Sequence, residues 1–102
     1  MPVELIEWRA FRKNTLRGFA KVELGALRIS ELTVHNSSGK KWVGMPARPV
    51  LNQDGSPKRD DRGKTAYASL LEWKTRESGD RFSVSVIAAI EEKHPGATDE
   101  GE

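Results

Sequence analysis

Apolar and polar residues alternate with a period of two over much of the first half of the chain. The clearest run covers residues 16–24, where Gly18, Ala20 and Val22 alternate with the bulky or charged residues Phe19 and Lys21. This period places alternate side chains on opposite faces of a strand. We therefore predict a strand with one small apolar face and one charged face. Gly18 within it favours a bulge or the close approach of another backbone.

Three further strands are predicted around this one. Residues 3–11 are rich in β-branched and aromatic residues, and residues 40–45 alternate until Pro46. Residues 27–36 also alternate, but the parity changes midway, which predicts a bulge near Ser30 and Glu31. Turn-forming residues occupy 13–15, 25–26 and 36–39. Strands joined by such short turns predict an antiparallel meander.

The segment after Pro46 is predicted to leave the sheet. Proline cannot donate to a strand ladder, so residues 46–49 should form a stiff, open segment that presents Arg48 outward. Residues 50–64 are dense in Asn, Asp, Gly and Pro, which predicts an exposed loop without regular structure. Alternation returns over residues 65–73, where we predict a short final strand.

A helix is predicted at the C-terminal end. Thr75 suits the N-cap, and Glu77 is favourable in the first turn. Residues 94–96 (His-Pro-Gly) should end the helix. Apolar residues recur at spacings of three and four, which places them on one face directed at the sheet, namely Phe82, Val86, Ala89 and Ile90.

The expected fold class is thus α+β, a twisted antiparallel β-meander of four to five strands followed by one C-terminal helix. Residues 1–94 should form a single domain, and residues 95–102 an acidic, disordered tail. Residues 91–102 contain five acidic residues and one lysine, and the whole chain carries +2, so residues 1–90 carry +6. This excess favours an anionic partner.

Composition also limits the chemistry. The chain has no cysteine, which favours the cytoplasm, and no apolar run predicts a signal peptide or a membrane span. His35 and His94 are the two imidazoles, and neither lies in a metal-ligand or nucleophile–base pattern. Asp60 and Asp61 should pair locally with neighbouring cations. We therefore expect no enzyme activity, no cofactor, no metal and no small-molecule substrate.

Cations interleaved with aromatic residues favour binding of nucleic acid. No acid interrupts residues 9–21, which contain five cations and lie beside Trp8, Phe11 and Phe19. A groove that follows a nucleic-acid backbone needs such charges and aromatic platforms. Alternatively, Trp8 and Phe11 belong to the core and the cations only surround it. A second basic cluster lies at residues 58–64.

Residues 16–24 (LRGFAKVEL) and residues 39–49 (GKKWVGMPARP) together resemble the SpoVG family of small bacterial proteins. The likeness covers residues 5–49, about half of the chain. It implies a β-meander followed by a helix, a homodimer, and non-catalytic binding of DNA or RNA in gene regulation. Arg48 matches the basic position after the Met-Pro of the family, and Arg17 and Lys21 match basic positions of its second strand. Family members run more directly to the helix than residues 51–64 allow here.

The residues expected to contact nucleic acid are Arg12, Lys13, Arg17, Lys21, Lys40, Arg48, Lys58, Arg59 and Arg62. Two alternatives remain open. Four strands followed by a helix also describe single-strand-binding transcription cofactors of the Whirly and positive-cofactor-four type, although no residue-level match supports them. The other alternative is a protein–protein interaction module that uses a sheet edge or an apolar patch.

Overall fold

The computed structural model describes residues 2–100. Its elements, in chain order, are β1 (Glu4–Lys13), β2 (Leu16–Leu24), β3 (Leu27–Ser37), β4 (Lys40–Gly44), β5 (Ala47–Pro49), β6 (Tyr67–Ser69) and α1 (Arg76–Lys93). The first four strands form an antiparallel sheet in the order β1-β2-β3-β4, and β5 and β6 form a separate two-stranded sheet. The prediction of an α+β fold with a four-stranded meander and one C-terminal helix is confirmed.

The three turns of the meander have the backbone geometry that their sequences favour. Asn14, Gly25, Ser38 and Gly39 have positive φ angles of 55°, 61°, 52° and 88°. Glycine and asparagine adopt this region at low cost, so short connections can return each strand directly beside the previous one. The predicted turns at residues 13–15, 25–26 and 36–39 are therefore confirmed.

Two irregularities within the sheet also agree with the sequence. The pairing of β2 with β3 shifts between Val22↔Ile29 and Ala20↔Leu32, and Glu31 has a φ of 60°. This is the bulge predicted near Ser30 and Glu31. Gly18 is a site of close approach as well, because an added Cβ would lie 2.5 Å from the Trp8 ring and 2.6 Å from the Arg9 carbonyl oxygen.

The helix packs on one face of the sheet. Phe82, Val86 and Ile90 are fully buried against a core that includes Val22, Leu32 and other small-to-medium apolar residues of β1, β2 and β3. Ala89 packs at the edge of this core. The Thr75 hydroxyl accepts a hydrogen bond from the Ser78 N–H at 3.2 Å, so the predicted N-cap is confirmed, and His94 is the C-cap.

The segment after β4 differs from the prediction. Residues 46–49 do not stay open, because Ala47–Pro49 pairs with Tyr67–Ser69, opposing Arg48 to Ala68. Proline is tolerated there because a short edge strand needs few donors from it. Residues 50–64 have no strand or helix, as predicted, although backbone hydrogen bonds such as Asp60 N–H to Lys64 O (2.8 Å) fold them into tight turns. The predicted strand over residues 65–73 shortens to β6.

The structure also corrects the prediction of a disordered tail for residues 95–100. Thr98 is fully buried, and its carbonyl oxygen accepts a hydrogen bond from Asn36 Nδ2 at 3.0 Å. Glu91 accepts hydrogen bonds from the Gly96 N–H (2.8 Å) and from the Thr98 hydroxyl (2.8 Å). Composition alone did not reveal these partners, which lie on β3 and α1. Residues 101 and 102 of the predicted tail lie outside the described residues.

Candidate nucleic-acid interface

The sheet face opposite the helix, called the outer face below, carries aromatic side chains. Alternation places Phe11 of β1, Phe19 of β2 and Trp42 of β4 on this face, because their neighbours Ala20 and Val43 point to the core. Phe11 is 51% exposed. Phe19 and Trp42 are partly buried on the same face. The outer face therefore offers aromatic surface at the solvent boundary.

The rings form two groups on neighbouring strands. Phe11 and Phe19 have ring centroids 6.0 Å apart, and the Arg9 guanidinium lies 4.9 Å from the Phe19 centroid. This places a cation against one aromatic ring, a favourable contact that also holds Arg9 on the outer face. Trp42 is stacked on His35, with centroids 5.1 Å apart and planes within 5° of parallel.

His35 is held as a neutral ring in this second group. Its Nδ1 lies 3.0 Å from the Thr15 hydroxyl, in a hydrogen bond between β3 and the β1–β2 turn. Burial lowers the pKa of His35 below its usual range, and the charge of nearby Arg17 lowers it further. The lowered pKa favours the neutral imidazole, which stacks on Trp42.

The two ends of the outer face differ in their charged residues. Toward the β2–β3 turn, acids pair with the cations, as in Arg9–Glu31 (3.6 Å) and Arg28–Glu23 (3.0 Å). A shallow groove of about 240 Å³ at this end contains Glu7, Lys21 and Glu31. Toward the β3–β4 turn lie Phe11, His35 and Trp42 with Lys13 and Lys40. We call this second part the aromatic end.

Lys13 and Lys40 are exposed cations at the rim of the aromatic end. Within the described part of the chain, neither side chain makes a hydrogen bond or an ion pair. The pairing of Lys13 with Leu16 and of Lys40 with Ser37 puts both at the same end of the sheet. The structure thus places two predicted site residues at the same end of the sheet, on its two edge strands.

Arg17 is placed differently from the prediction. It is only 7% exposed, and its guanidinium donates to the carbonyl oxygens of Thr15 (3.1 Å) and Asn14. Those bonds fix the β1–β2 turn and leave little of the guanidinium for a ligand. Arg17 is therefore a structural residue, and the strand parity that suggested an exposed cation could not show that a β-bulge turns it inward.

Arg12 and Lys41 lie on the other side of the same sheet end, beside the C-terminal segment (residues 97–100). Arg12 Nη1 donates to the Asp99 carbonyl oxygen at 2.9 Å, and Lys41 Nζ lies 3.2 Å from Asp99 Oδ1. The Ser38 N–H donates to Glu100 Oε2 at 2.7 Å. The predicted cation Arg12 is thus partly covered by the chain's own acidic residues, and sequence reasoning missed Lys41.

The remaining predicted cations lie at the opposite end of the sheet. β4 runs from Lys40 toward Met45, which lies beside Leu24 and Leu27, so β5 and the following loop leave from that far end. Arg48 is exposed at the centre of β5, and Arg59 donates to the Gly63 carbonyl oxygen at 2.9 Å. Lys58 and Arg62 are exposed in the loop. Arg48, Lys58, Arg59 and Arg62 form the loop cluster, separate from the aromatic end.

Trp8 and Phe11 lie in different environments, which the sequence did not predict. Trp8 packs against the core above Gly18, whereas Phe11 points outward, so the alternative in which both are core residues holds for Trp8 alone. Sequence reasoning did not place Trp42 or His35 in the site. Strand alternation could have indicated Trp42, because Trp42 and Lys40 lie on the face opposite to that of the apolar Val43.

Comparison of the chain with protein-family models, curated proteins and solved structures found no match in any of the three. The SpoVG resemblance therefore stays a prediction. Within residues 2–100, no cluster of His, Asp or Glu side chains is placed to hold a metal ion. The one helix of that range is too polar to cross a membrane.

Proposed function

We propose that this protein is a non-catalytic regulator that binds single-stranded DNA or RNA across the aromatic end of its outer face. The observation that carries the proposal is the sheet face opposite the helix, where Phe11 is exposed and Phe19 and Trp42 are partly exposed. Aromatic rings on an open sheet stack unpaired bases, and they do so with little dependence on sequence. Base-paired strands could not present their base faces to such rings.

The charges at this end suit a nucleic-acid backbone. Lys13 and Lys40 flank the aromatic end from two edge strands, and the paired acids Glu23 and Glu31 lie toward the other end. A single nucleic-acid strand that lies across the sheet could place its bases on the rings and its phosphates near both lysines. The loop cluster around Arg48 supplies a second basic surface for a longer strand. This assignment agrees with the partner that the SpoVG resemblance implies, and the lack of cysteine favours the cytoplasm.

Replacement of Phe11 tests the stacking step. We expect Phe11→Ala to weaken binding of a fluorescently labelled single-stranded oligonucleotide by about 1–3 kcal/mol, because one stacking platform is lost. Fluorescence anisotropy titration gives the affinity. Because Phe11 is 51% exposed, its truncation should leave the thermal midpoint nearly unchanged.

Phe11→Tyr is the matched control, since it keeps the aromatic ring and should keep the affinity. Titrations of wild type across a salt series add a second criterion, because phosphate contacts make the affinity fall steeply with salt. Equal affinities for wild type and Phe11→Ala would contradict the stacking model. If Arg48→Ala alone reduced the salt slope, binding would belong to the loop cluster instead.

The second candidate function is a protein–protein interaction module, and one observation favours it. Leu27 (53% exposed), Leu70 (58%) and Leu71 (43%) lie near the far end of the sheet. Leu27 and Leu71 line an apolar cavity of about 130 Å³ together with Met45 and Trp73. A protein partner bound there would hold at high salt, whereas the nucleic acid would dissociate.

We further propose that the protein is a dimer in which the β1 edges of two copies pair in antiparallel fashion. Within residues 2–100, β1 pairs with a strand on one side only, and it has the acids Glu4 and Glu7 in its first half and cations in its second half. Antiparallel pairing about a twofold axis opposes each acidic half to a basic half. Light scattering should show a dimer, and Glu4→Lys with Glu7→Lys should shift it toward monomer. A monomeric wild type at all concentrations would overturn the dimer.

A further inference from the structure

The C-terminal segment places oxygen acceptors on three donors at the rim of the aromatic end. Lys41 Nζ contacts Asp99 Oδ1 (3.2 Å), the Ser38 N–H donates to Glu100 Oε2 (2.7 Å), and Arg12 Nη1 donates to the Asp99 carbonyl oxygen (2.9 Å). The donors come from β1, the β3–β4 turn and β4. Three convergent donors, two of them cationic, form a site that suits an oxyanion.

We propose that Arg12, Lys41 and the Ser38 N–H form a phosphate subsite for the nucleic-acid backbone, which Asp99 and Glu100 occupy in competition with it. The inference rests on the proposed function and adds a regulatory element to it. Phosphate oxygens have the charge and acceptor geometry of the two carboxylates that now hold Lys41 and the Ser38 N–H, while Arg12 is held by the backbone carbonyl oxygens of Asp99 and Ala97. The acidic residues are thus an internal competitor for the same donors.

The position of the subsite supports this assignment. Arg12 and Lys41, which contact the C-terminal segment, are each adjacent in sequence to a rim lysine that makes no such contact. Arg12 directly precedes Lys13, and Lys41 directly follows Lys40. A nucleic-acid strand that extends from the aromatic rings past Lys13 and Lys40 reaches the subsite next. The subsite therefore extends the proposed interface around the end of the sheet.

The segment is anchored independently of its acidic side chains. Thr98 is fully buried, and the Asn36 amide and the Glu91 carboxylate hold its backbone and hydroxyl. Burial of Glu91 would raise its pKa, but hydrogen bonds from Gly96 and Thr98 and the charge of Lys41 outweigh it and lower the pKa. Asp99 and Glu100 can therefore release their donors while Thr98 stays docked, and the tether keeps them at high effective concentration.

The test is neutralisation of the two acids in the full chain. We expect Asp99→Asn with Glu100→Gln to bind a labelled single-stranded oligonucleotide about tenfold more tightly, as is usual for removal of a coupled competitor. The salt slope should steepen by about 0.7–1.4 units, corresponding to one or two added phosphate contacts. Adding Lys41→Gln to this variant should remove most of the gain.

The matched control is Glu77→Gln with Asp80→Asn, which changes the net charge equally. Both residues are exposed in the first turns of α1, where they pair with Arg81 and Arg76, away from the subsite. This control should change the affinity less than twofold. An equal gain in affinity in both double variants, or an unchanged salt slope, would mean that the gain comes from net charge alone. Either result would overturn the subsite.

A titration with inorganic phosphate separates this inference from the proposed function. In the Asp99→Asn, Glu100→Gln variant, the Ser38 amide resonance should shift on phosphate addition, and more than in wild type. Oligonucleotide binding without that shift would overturn the subsite and leave the proposed function standing. If no variant bound any oligonucleotide, the proposed function and the nucleic-acid role of the subsite would both be wrong.

Discussion

Phe82→Ala is expected to lower the free energy of unfolding by about 3–5 kcal/mol, because the truncated ring leaves a cavity at the helix–sheet interface. Phe82 is 1% exposed, and its ring lies 5.1 Å from that of Trp73. It is also the first buried residue of α1, so it fixes where the helix begins to contact the sheet. Equilibrium urea denaturation, followed by tryptophan fluorescence, measures the change.

Val84→Ala on the same helix is the matched control. Val84 is 69% exposed, so its truncation should change the free energy of unfolding by no more than about 0.5 kcal/mol. Similar small losses for both variants would mean that α1 does not pack on the sheet through Phe82. A loss confined to Phe82→Ala supports the placement that leaves the outer face open.

Gly18→Ala is expected to cost about 3 kcal/mol, at the upper end of the range for overpacking. The new Cβ would lie 2.5 Å from Trp8 Cη2 and 2.6 Å from the Arg9 carbonyl oxygen. The indole can move, but the carbonyl belongs to the neighbouring strand, so β1 must shift relative to β2. Because β1 also carries Phe11, the variant should weaken oligonucleotide binding as well.

Gly79→Ala provides a comparison with the same chemical change. Its Cβ would lie 3.3 Å from Trp73 Cδ1, a tight contact that a small ring movement relieves. Alanine also gains about 1 kcal/mol of helix propensity over glycine at this position. We expect a net change within about 1 kcal/mol by thermal and urea denaturation. A loss at Gly79 equal to that at Gly18 would contradict the close approach of β1.

The proposed interface was only partly predictable from sequence. The interleaving of Phe11 and Phe19 with cations predicted a surface for nucleic acid, and the structure places both rings on one face. Parity did not show that Arg17 turns inward, since its partners are the carbonyl oxygens of the adjacent turn. Nor did it indicate the stacking of Trp42 on His35, which depends on the register between β3 and β4.

Local patterns in the sequence were enough to determine the four strands of the meander, their turns, the bulge at Glu31, and the helix with its Thr75 cap. These features depend on the period of apolar residues and on backbone preferences within a few residues, which every segment carries by itself. Only the tertiary structure decided the pairing of Arg48 with Ala68 and the docking of Thr98 on Asn36. Those contacts join residues 20 and 62 positions apart. Their free energy comes from burial and hydrogen bonds between distant segments, which no local pattern of residues encodes.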